Sequence, residues 1–409
     1  MKSFIIFLFI SVVFAIPCKS QNGWIQQESN TDLFLRKVVF INDSSGYIIG
    51  NDRLILNTED MGNQWIIQNH EPPDNFYNLF FSDSTKAWIS GMDGILLHSC
   101  DGGKEWFPQS SGTKAKLFGI FFIDSLKGWA VGDGGIILNT SDGGINWDKQ
   151  ISNTQELLFS VYFVDTLTGW VSGHDGTILY TNNGGENWIR QFSNIDTHIP
   201  SIYFLNPQVG WAVAYEGKIS FTIDGGENWN EYIIPGLDQN LYEVFLINEE
   251  KGWIVGDEGI ILYTSDGGVS WNEQYSVIDE MLTGVYFTDS TTGWIVGYNG
   301  TILHTTTGGI TSVDEAPLFG SNISQCYPNP FSDYTIINYK LLRAGHVLLK
   351  VFDMYGNEIA VLADEYQSEG IHTRRFDPTK LSNNLAPGVY FYRLQTSSGT
   401  ETGKVVLVK

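Results

Sequence analysis

Apolar and polar positions alternate along most of this chain in short runs, and the runs return at a fixed distance. Between residues 120 and 147 they comprise Phe121-Phe122, a turn at Asp124-Ser125, an apolar run over 129–132, a break at Asp133-Gly134, a second run over 136–140, a glycine-rich bend and Asn146-Trp147. Period-two runs with hairpin punctuation predict four short antiparallel strands and no helix. The bends end in Trp65, Trp106, Trp147, Trp188, Trp229 and Trp271, spaced 41, 41, 41, 41 and 42 residues apart. One such unit cannot bury its apolar faces alone, so a repeat of this size with four strands predicts the blades of a β-propeller.

A second ladder gives the blade count. Tyr47, Trp88, Trp129, Trp170, Trp211, Trp253 and Trp294 each open a second strand, which makes seven blades. The last unit has Ser312 where tryptophan is expected, whereas Trp24 lies 41 residues before Trp65. Residues 23–29 are therefore expected to supply the outer strand of the blade whose first three strands lie near 283–306, closing the ring without a seam. All 13 tryptophans then sit on the two ladders, and none is left as a separate ligand platform.

The repeat sets the domain limits. Residues 21–309 form the propeller, 310–325 a linker, and 326–409 a second β unit. In that unit, strands near 335–340, 347–352, 358–362, 370–376, 388–395 and 404–408 suit a small Ig-like antiparallel sandwich, so the whole chain reads as all-β. Residues 1–20 stand outside both. Lys2, an apolar stretch at 4–16 and Cys18-Lys-Ser20 before Gln21 read as a cleaved secretory signal, too short to cross a bilayer. A lipid anchor on Cys18 is the alternative, poorly served by Pro17. The mature chain is expected to have no transmembrane segment, and Cys100 and Cys326, in different domains, are read as structural rather than as a disulfide framework.

Charge narrows the partners. The net charge is −23, while residues 326–409 carry nine Lys and Arg against eight Asp and Glu, so the acidity belongs to the propeller. Such a field repels nucleic acid and anionic lipid and favours cations or basic partners.

The bends, of the form Thr140-Ser-Asp-Gly-Gly-Ile-Asn-Trp147, match the Asp-box, or bacterial neuraminidase repeat. Asp60, Asp101, Asp142, Asn183, Asp224 and Asp266 are expected to fasten the bend by accepting backbone hydrogen bonds, a structural role rather than a catalytic one. No helix follows these glycines, so they are not a phosphate loop. With a segment of the type Gly128-Trp-Ala-Val-Gly132 preceding each bend, residues 22–309 resemble the photosystem II stability/assembly factor type of propeller, which implies a non-enzymatic, chaperone-like binder. Its members are thought to hold clients on an arginine-rich face; this propeller has only Arg36, Arg53 and Arg190.

Sialidases share the Asp-box, and that resemblance would require an arginine triad with a Tyr/Glu nucleophile pair. Endo-glucanases on this scaffold would require two placed carboxylates. A glycan-active hydrolase is thus the enzymatic alternative, and a structural surface or matrix component a third. No catalytic residue or cofactor is assigned, calcium being the one ion considered.

The turns between second and third strands are the most individual feature. They hold Asn51-Asp52, Met92-Asp93, Asp133-Gly134, His174-Asp175, Tyr215-Glu216, Asp257-Glu258 and Tyr298-Asn299. Two-residue hairpins select Asn, Asp and Gly on conformational grounds alone. All seven should nevertheless emerge on one face, opposite the Asp-boxes, as a broken acidic ring with His174, Tyr215 and Tyr298 interleaved. That face is the candidate site for a cation, a sugar or a basic protein segment. At the other hairpins, Asp83, Asp124, Asp165 and Asp289 precede Ser84, Ser125, Thr166 and Ser290 in a pattern resembling O-glycosylation acceptors of exported Bacteroidetes proteins.

Residues 326–409 resemble the type A C-terminal sorting domain of the type IX secretion system in Tyr327-Pro-Asn-Pro-Phe331, Val351-Phe-Asp-Met-Tyr-Gly-Asn-Glu-Ile359, Leu385-Ala-Pro-Gly-Val-Tyr-Phe-Tyr-Arg-Leu394 and the closing Lys404, Val405, Val406, Leu407, Val408 and Lys409. The resemblance implies export through the periplasm, recognition by that machinery, and a final place at the cell surface or outside the cell.

Overall fold

The computed structural model describes residues 23–68, 74–310 and 323–408, apart from 328, 342–343, 355, 369, 382–384 and 397–398. The signal segment, most of the linker and Lys409 lie outside the described residues.

Seven four-stranded antiparallel sheets make the propeller. Blade three is typical, with strands Leu117–Phe122, Gly128–Gly132, Ile137–Thr140 and Asp148–Gln150 in spatial order. The second strand, Gly-Trp-Ala-Val-Gly, is buried at every position because other blades cover both of its faces. The outer strand begins just after Trp147 rather than at Asn146. Blade seven contains Leu282–Phe287, Gly293–Gly297 and Ile302–Thr305, and takes Ile25–Gln27 as its outer strand, with Ile25 opposite His304 and Gln27 opposite Ile302. The ring closes as the tryptophan spacing predicts.

Successive blades are held by one repeated contact. The second-strand tryptophan stacks on the last phenylalanine of the next blade's inner strand, with centroids 3.6 Å apart for Trp88–Phe122, 3.5 Å for Trp129–Phe163 and 3.4 Å for Trp253–Phe287. The same indole donates to a glycine carbonyl of the next bend, as in Trp129 Nε1 to Gly184 at 3.2 Å. Gln150 Nε2 reaches that carbonyl from the outer strand at 3.0 Å. A buried ring thereby contributes packing and a satisfied polar handle together.

The Asp-box is a local hydrogen-bond device. Asp142 Oδ1 accepts from Asn146 N–H at 2.9 Å and from Thr140 Oγ1 at 2.9 Å, while Gly144 N–H donates to Thr140 Oγ1 at 2.9 Å. Asp60, Asp101, Asn183, Asp224 and Asp266 accept from the backbone four residues on in the same way. These backbone donors are the main reason why the carboxyls of Asp101 and Asp142 lie below the usual carboxylate range. Cys100, beside Asp101, is exposed and so has no core role.

The C-terminal unit consists of a three-stranded sheet, Ile323–Tyr327, Thr335–Leu341 and Gly370–Phe376, and a four-stranded sheet, Glu358–Gln367, Gly345–Phe352, Gly388–Thr396 and Gly399–Leu407. The first strand starts inside the stretch read as linker, because pairing with Thr335–Leu341 gives a polar segment an extended partner. The last strand starts at Gly399 rather than 404. Its Val405 and Leu407 enter a core with Phe331, Val351, Phe376 and Tyr392. Val408 N–H donates to the Phe331 carbonyl at 2.8 Å, so the closing segment is part of the sandwich rather than a free tail.

Candidate binding face and channel

Backbone hydrogen bonds fix which loops share a face. The first turn residue of each blade donates to the segment entering that blade's inner strand: Asn51 to Phe34 at 2.9 Å, Met92 to Asn75 at 2.9 Å, His174 to Leu157 at 2.8 Å, Tyr215 to His198 at 3.0 Å and Tyr298 to Met281 at 2.9 Å. All seven turns therefore lie beside the blade connections. The Asp-boxes bond the other hairpins instead, as in Gly143 to Leu126 at 2.8 Å, and occupy the opposite face.

The turns are one residue longer than expected. Gly132 N–H bonds the Ile136 carbonyl, enclosing three residues, of which Gly134 and Gly135 have φ of +64° and +70°. Asp52, Asp93, Asp175, Glu216 and Glu258 take the first of these two left-handed positions, with φ between +50° and +60°. Several of the acidic side chains have local partners. Asp257 accepts from Asn240 Nδ2 at 2.8 Å and Glu258 from Gln239 Nε2 at 3.1 Å, while Glu216 pairs with Lys218 at 3.1 Å. Tyr298 packs edge-on to Phe34 at 5.7 Å.

Between the inner strands lies an open cavity of about 790 Å³. Residues of those strands line it in tiers, the first two tiers coming from consecutive positions at a β-bulge and the third from two residues further on. Nearest the turn face stand Arg36, Tyr77, Phe118, Phe159 and Tyr242, with Tyr215 beside them. Adjacent rings are in contact, Tyr77–Phe118 at 5.0 Å, Phe118–Phe159 at 5.6 Å and Tyr215–Tyr242 at 5.7 Å. The next tier is polar or small, with Asn78, Ser160, Ser201 and a Lys37–Glu243 ion pair reaching from blade one to blade six. A third tier is aromatic again: Phe80, Phe121, Tyr162, Tyr203, Phe245 and Tyr286 succeed one another at 4.8–6.4 Å. Burial pushes the phenols of Tyr162 and Tyr242 far above their ordinary value.

Arg36 is the exceptional group of the mouth. Its guanidinium lies 4.5 Å from the Phe34 ring centre and 5.0 Å from that of Tyr77, and Nε donates to Asn51 Oδ1 at 2.8 Å. Among the described residues no carboxylate lies within ion-pair distance of it, and burial lowers its pKa. Arg53 instead pairs with Asp74, and Arg190 lies on an exposed outer strand, so the three arginines occupy different surroundings.

One group does converge at the rim. His174 and Asp175 on the turn of blade four meet His198 on the connection to blade five, the two imidazoles lying 4.0 Å apart. Sequence reading found the first two and missed His198, as it missed Tyr77, Phe118, Phe159 and the third tier. The repeat register holds the signal for both, since each belongs to a fixed inner-strand or connection position.

Solved structures similar to the propeller include "YCF48 bound to D1 peptide" (TM-score 0.61, 21% identity, covering 70% of this chain and 97% of that one) and YCF48 from Cyanidioschyzon merolae (0.60, 21%, 69% and 98%). A virginiamycin B lyase from Staphylococcus aureus is similar at 0.61 with 14% identity, covering 69% and 98%. At such identities the likeness is one of fold. No curated protein matches the chain. Residues 325–409 match the Secretion system C-terminal sorting domain, which implies secretion or cell-surface export, and no helix among the described residues is long and apolar enough to cross a membrane. Residues 16–114, 105–201 and 190–277 match the family described as Photosynthesis system II assembly factor YCF48, and the chain belongs to that family.

Proposed function

We propose that this protein is handled by the type IX secretion machinery and acts at the cell surface or outside the cell as a non-enzymatic binding protein. Its ligand is an extended polypeptide segment that enters the channel from the turn face. The observation that carries this reading is the aromatic mouth around Arg36, a cation without an acidic partner in a strongly acidic chain. Stacked rings hold an extended chain with little loss of side-chain freedom, and a half-buried guanidinium favours a ligand carboxylate. A solved structure of the same fold has a peptide bound. The Glu243 carboxylate is already occupied by Lys37 and by Val285 N–H at 2.8 Å, which leaves it poorly suited to acid–base work on a glycan.

The test is binding of the full chain to a library of short peptides and, in parallel, to oligosaccharides. Peptides with a free or side-chain carboxylate should bind the native protein, and Arg36→Ala or Tyr77→Ala should weaken them by at least about tenfold, the loss of roughly one charged hydrogen bond or one anchor ring. Oligosaccharide binding alone, or peptide binding indifferent to both substitutions, would refute the reading.

A further inference from the structure

The seven blade junctions are built to one plan, so a junction that departs from it stands out. Each aligns, by the repeat register, the first turn residue of one blade with the position entering the inner strand of the following blade, which lies directly before that strand in six blades and three residues before Ser201–Phe204 in blade five. Those pairs are Asn51 with Asn75, Met92 with Lys116, Asp133 with Leu157, His174 with His198, Tyr215 with Asn240, Asp257 with Met281 and Tyr298 with Phe34. A single junction carries two imidazoles, and its turn adds Asp175.

The backbone there is fastened on every side. Gly176 N–H bonds the Thr197 carbonyl at 2.7 Å, Ile199 N–H the Gly173 carbonyl at 3.0 Å, and Tyr215 N–H the His198 carbonyl at 3.0 Å. One donor atom each from His174, Asp175 and His198 lies within 4.8 Å of the other two. His174 Nδ1 stands 3.0 Å from Asp175 Oδ1 and 3.1 Å from Glu156 Oε2. It nevertheless makes no hydrogen bond of acceptable angle, and His198 Nδ1, equally buried, has no hydrogen-bond partner. A ring nitrogen facing carboxylate oxygens without a directed proton is the arrangement that a shared cation completes.

We propose that His174, Asp175 and His198 form a binding site for a divalent transition metal of the zinc type, on the rim of the channel. Zinc takes imidazole nitrogen and carboxylate oxygen at about 2.0–2.2 Å, so donors already this close reach a common ion by small torsional changes. Two imidazoles select a borderline metal over calcium, which requires six to eight oxygens. Three protein ligands leave a fourth tetrahedral position, for water or for the Glu156 carboxylate that lies 3.1 Å from His174 Nδ1. Tyr215, whose ring centre lies 4.9 Å from that of His198, also lines the channel, so this position is adjacent to the mouth. The site does not depend on what the channel binds.

The experiment is calorimetric titration of the chelator-treated full chain with zinc chloride and with calcium chloride, together with cobalt(II) absorption as a report of coordination. One equivalent of zinc should bind, with no saturable heat from calcium. The variant His174→Tyr/His198→Asn installs the pair found at the next junction, and so keeps the turn and connection chemistry that the fold already accepts. It should melt like the native chain without metal, lose the four-coordinate cobalt spectrum and weaken zinc by more than about tenfold, as loss of ligating groups does. His98→Asn, at a remote histidine, should leave zinc affinity and the cobalt spectrum as in the native chain. Absence of saturable zinc binding, or unaltered zinc affinity in the double variant, would overturn the proposal.

Discussion

The indole Nε1 of Trp24 donates to Oε1 of Gln274 at 3.0 Å, joining residues 250 positions apart. Gln274 passes the contact on through Nε2 to the Gly308 carbonyl at 2.9 Å, and the Trp24 ring packs edge-on to Phe287 at 5.8 Å. One side chain thus ties the start of the propeller to blades six and seven. Trp24→Ala should destabilise the propeller by about 3–5 kcal/mol through the cavity it leaves. Trp24→Phe keeps most of the packing and strands the Gln274 oxygen, a loss of about 1–3 kcal/mol. Denaturant unfolding of both variants checks the order; equal stability of Trp24→Ala and native protein would contradict it.

Gly144 of an Asp-box and Gly134 of an opposite turn are not equivalent. Gly144 has φ of +88°, and a Cβ there would lie 2.1 Å from Gln109 Oε1, whereas at Gly134, with φ of +64°, a Cβ would meet nothing within 4 Å. Gly134→Ala should lower stability by about 1 kcal/mol for backbone strain. Gly144→Ala should add to that strain the displacement of the Gln109 amide and the loss of its hydrogen bond to the Gly143 carbonyl, about 1 kcal/mol. Melting of the two variants side by side separates strain from collision.

Acid should unfold the propeller in two stages. Burial against Trp294, at 4.8 Å, lowers the pKa of His304, and burial lowers that of His98. Depressed values in the folded state mean a stabilisation present above the ordinary histidine value of about 6.5, and lost as pH falls through the depressed value. The Asp101 and Asp142 carboxyls, also depressed, act lower down. Their contribution is present above about pH 4 and lost as pH falls through their folded values. His304→Tyr, the residue found at the same register in Tyr180, should reduce the upper stage, to which His98 still contributes, and leave the lower one. Melting temperature against pH measures this, and an unchanged upper stage would sink the assignment.

The sorting domain should fail by unfolding rather than by loss of an exposed tag. Val405 is fully buried, whereas Val408 is 43% exposed. Val405→Asp places an unpaired charge in the sandwich core, a loss of several kcal/mol, and should leave the protein in the periplasm. Val408→Ser should be exported normally. Cell fractionation distinguishes the two, and surface appearance of Val405→Asp would count against recognition of the folded domain.

The propeller was legible because the tryptophan ladders fix the register of every strand, and Trp24 announced the closing strand by spacing alone. Turn length was not, since Asp133-Gly134-Gly135 does not reveal that both glycines are left-handed and that the strand resumes only after them. The channel was hidden for a different reason. Period-two patterning separates the two faces of a strand, but Tyr77 and Phe118 become mutual neighbours only when seven inner strands surround one axis. His198 escaped notice because a connection joins it to His174 in space and nothing in the local sequence does.

Closure through Ile25–Gln27 also sets a timetable for folding. The first strand of the propeller, Ile25–Gln27, has the last strand of the propeller, Ile302–Thr305, as its partner. Until the two meet, the outer edge of Ile302–Thr305 presents unpaired backbone groups on which another copy of the chain can add a strand. Contacts of such separation form slowly, since nearly the whole ring must be in place before they stabilise anything. The interval before closure, rather than the stability of the finished ring, then determines how much newly exported chain is lost to aggregation.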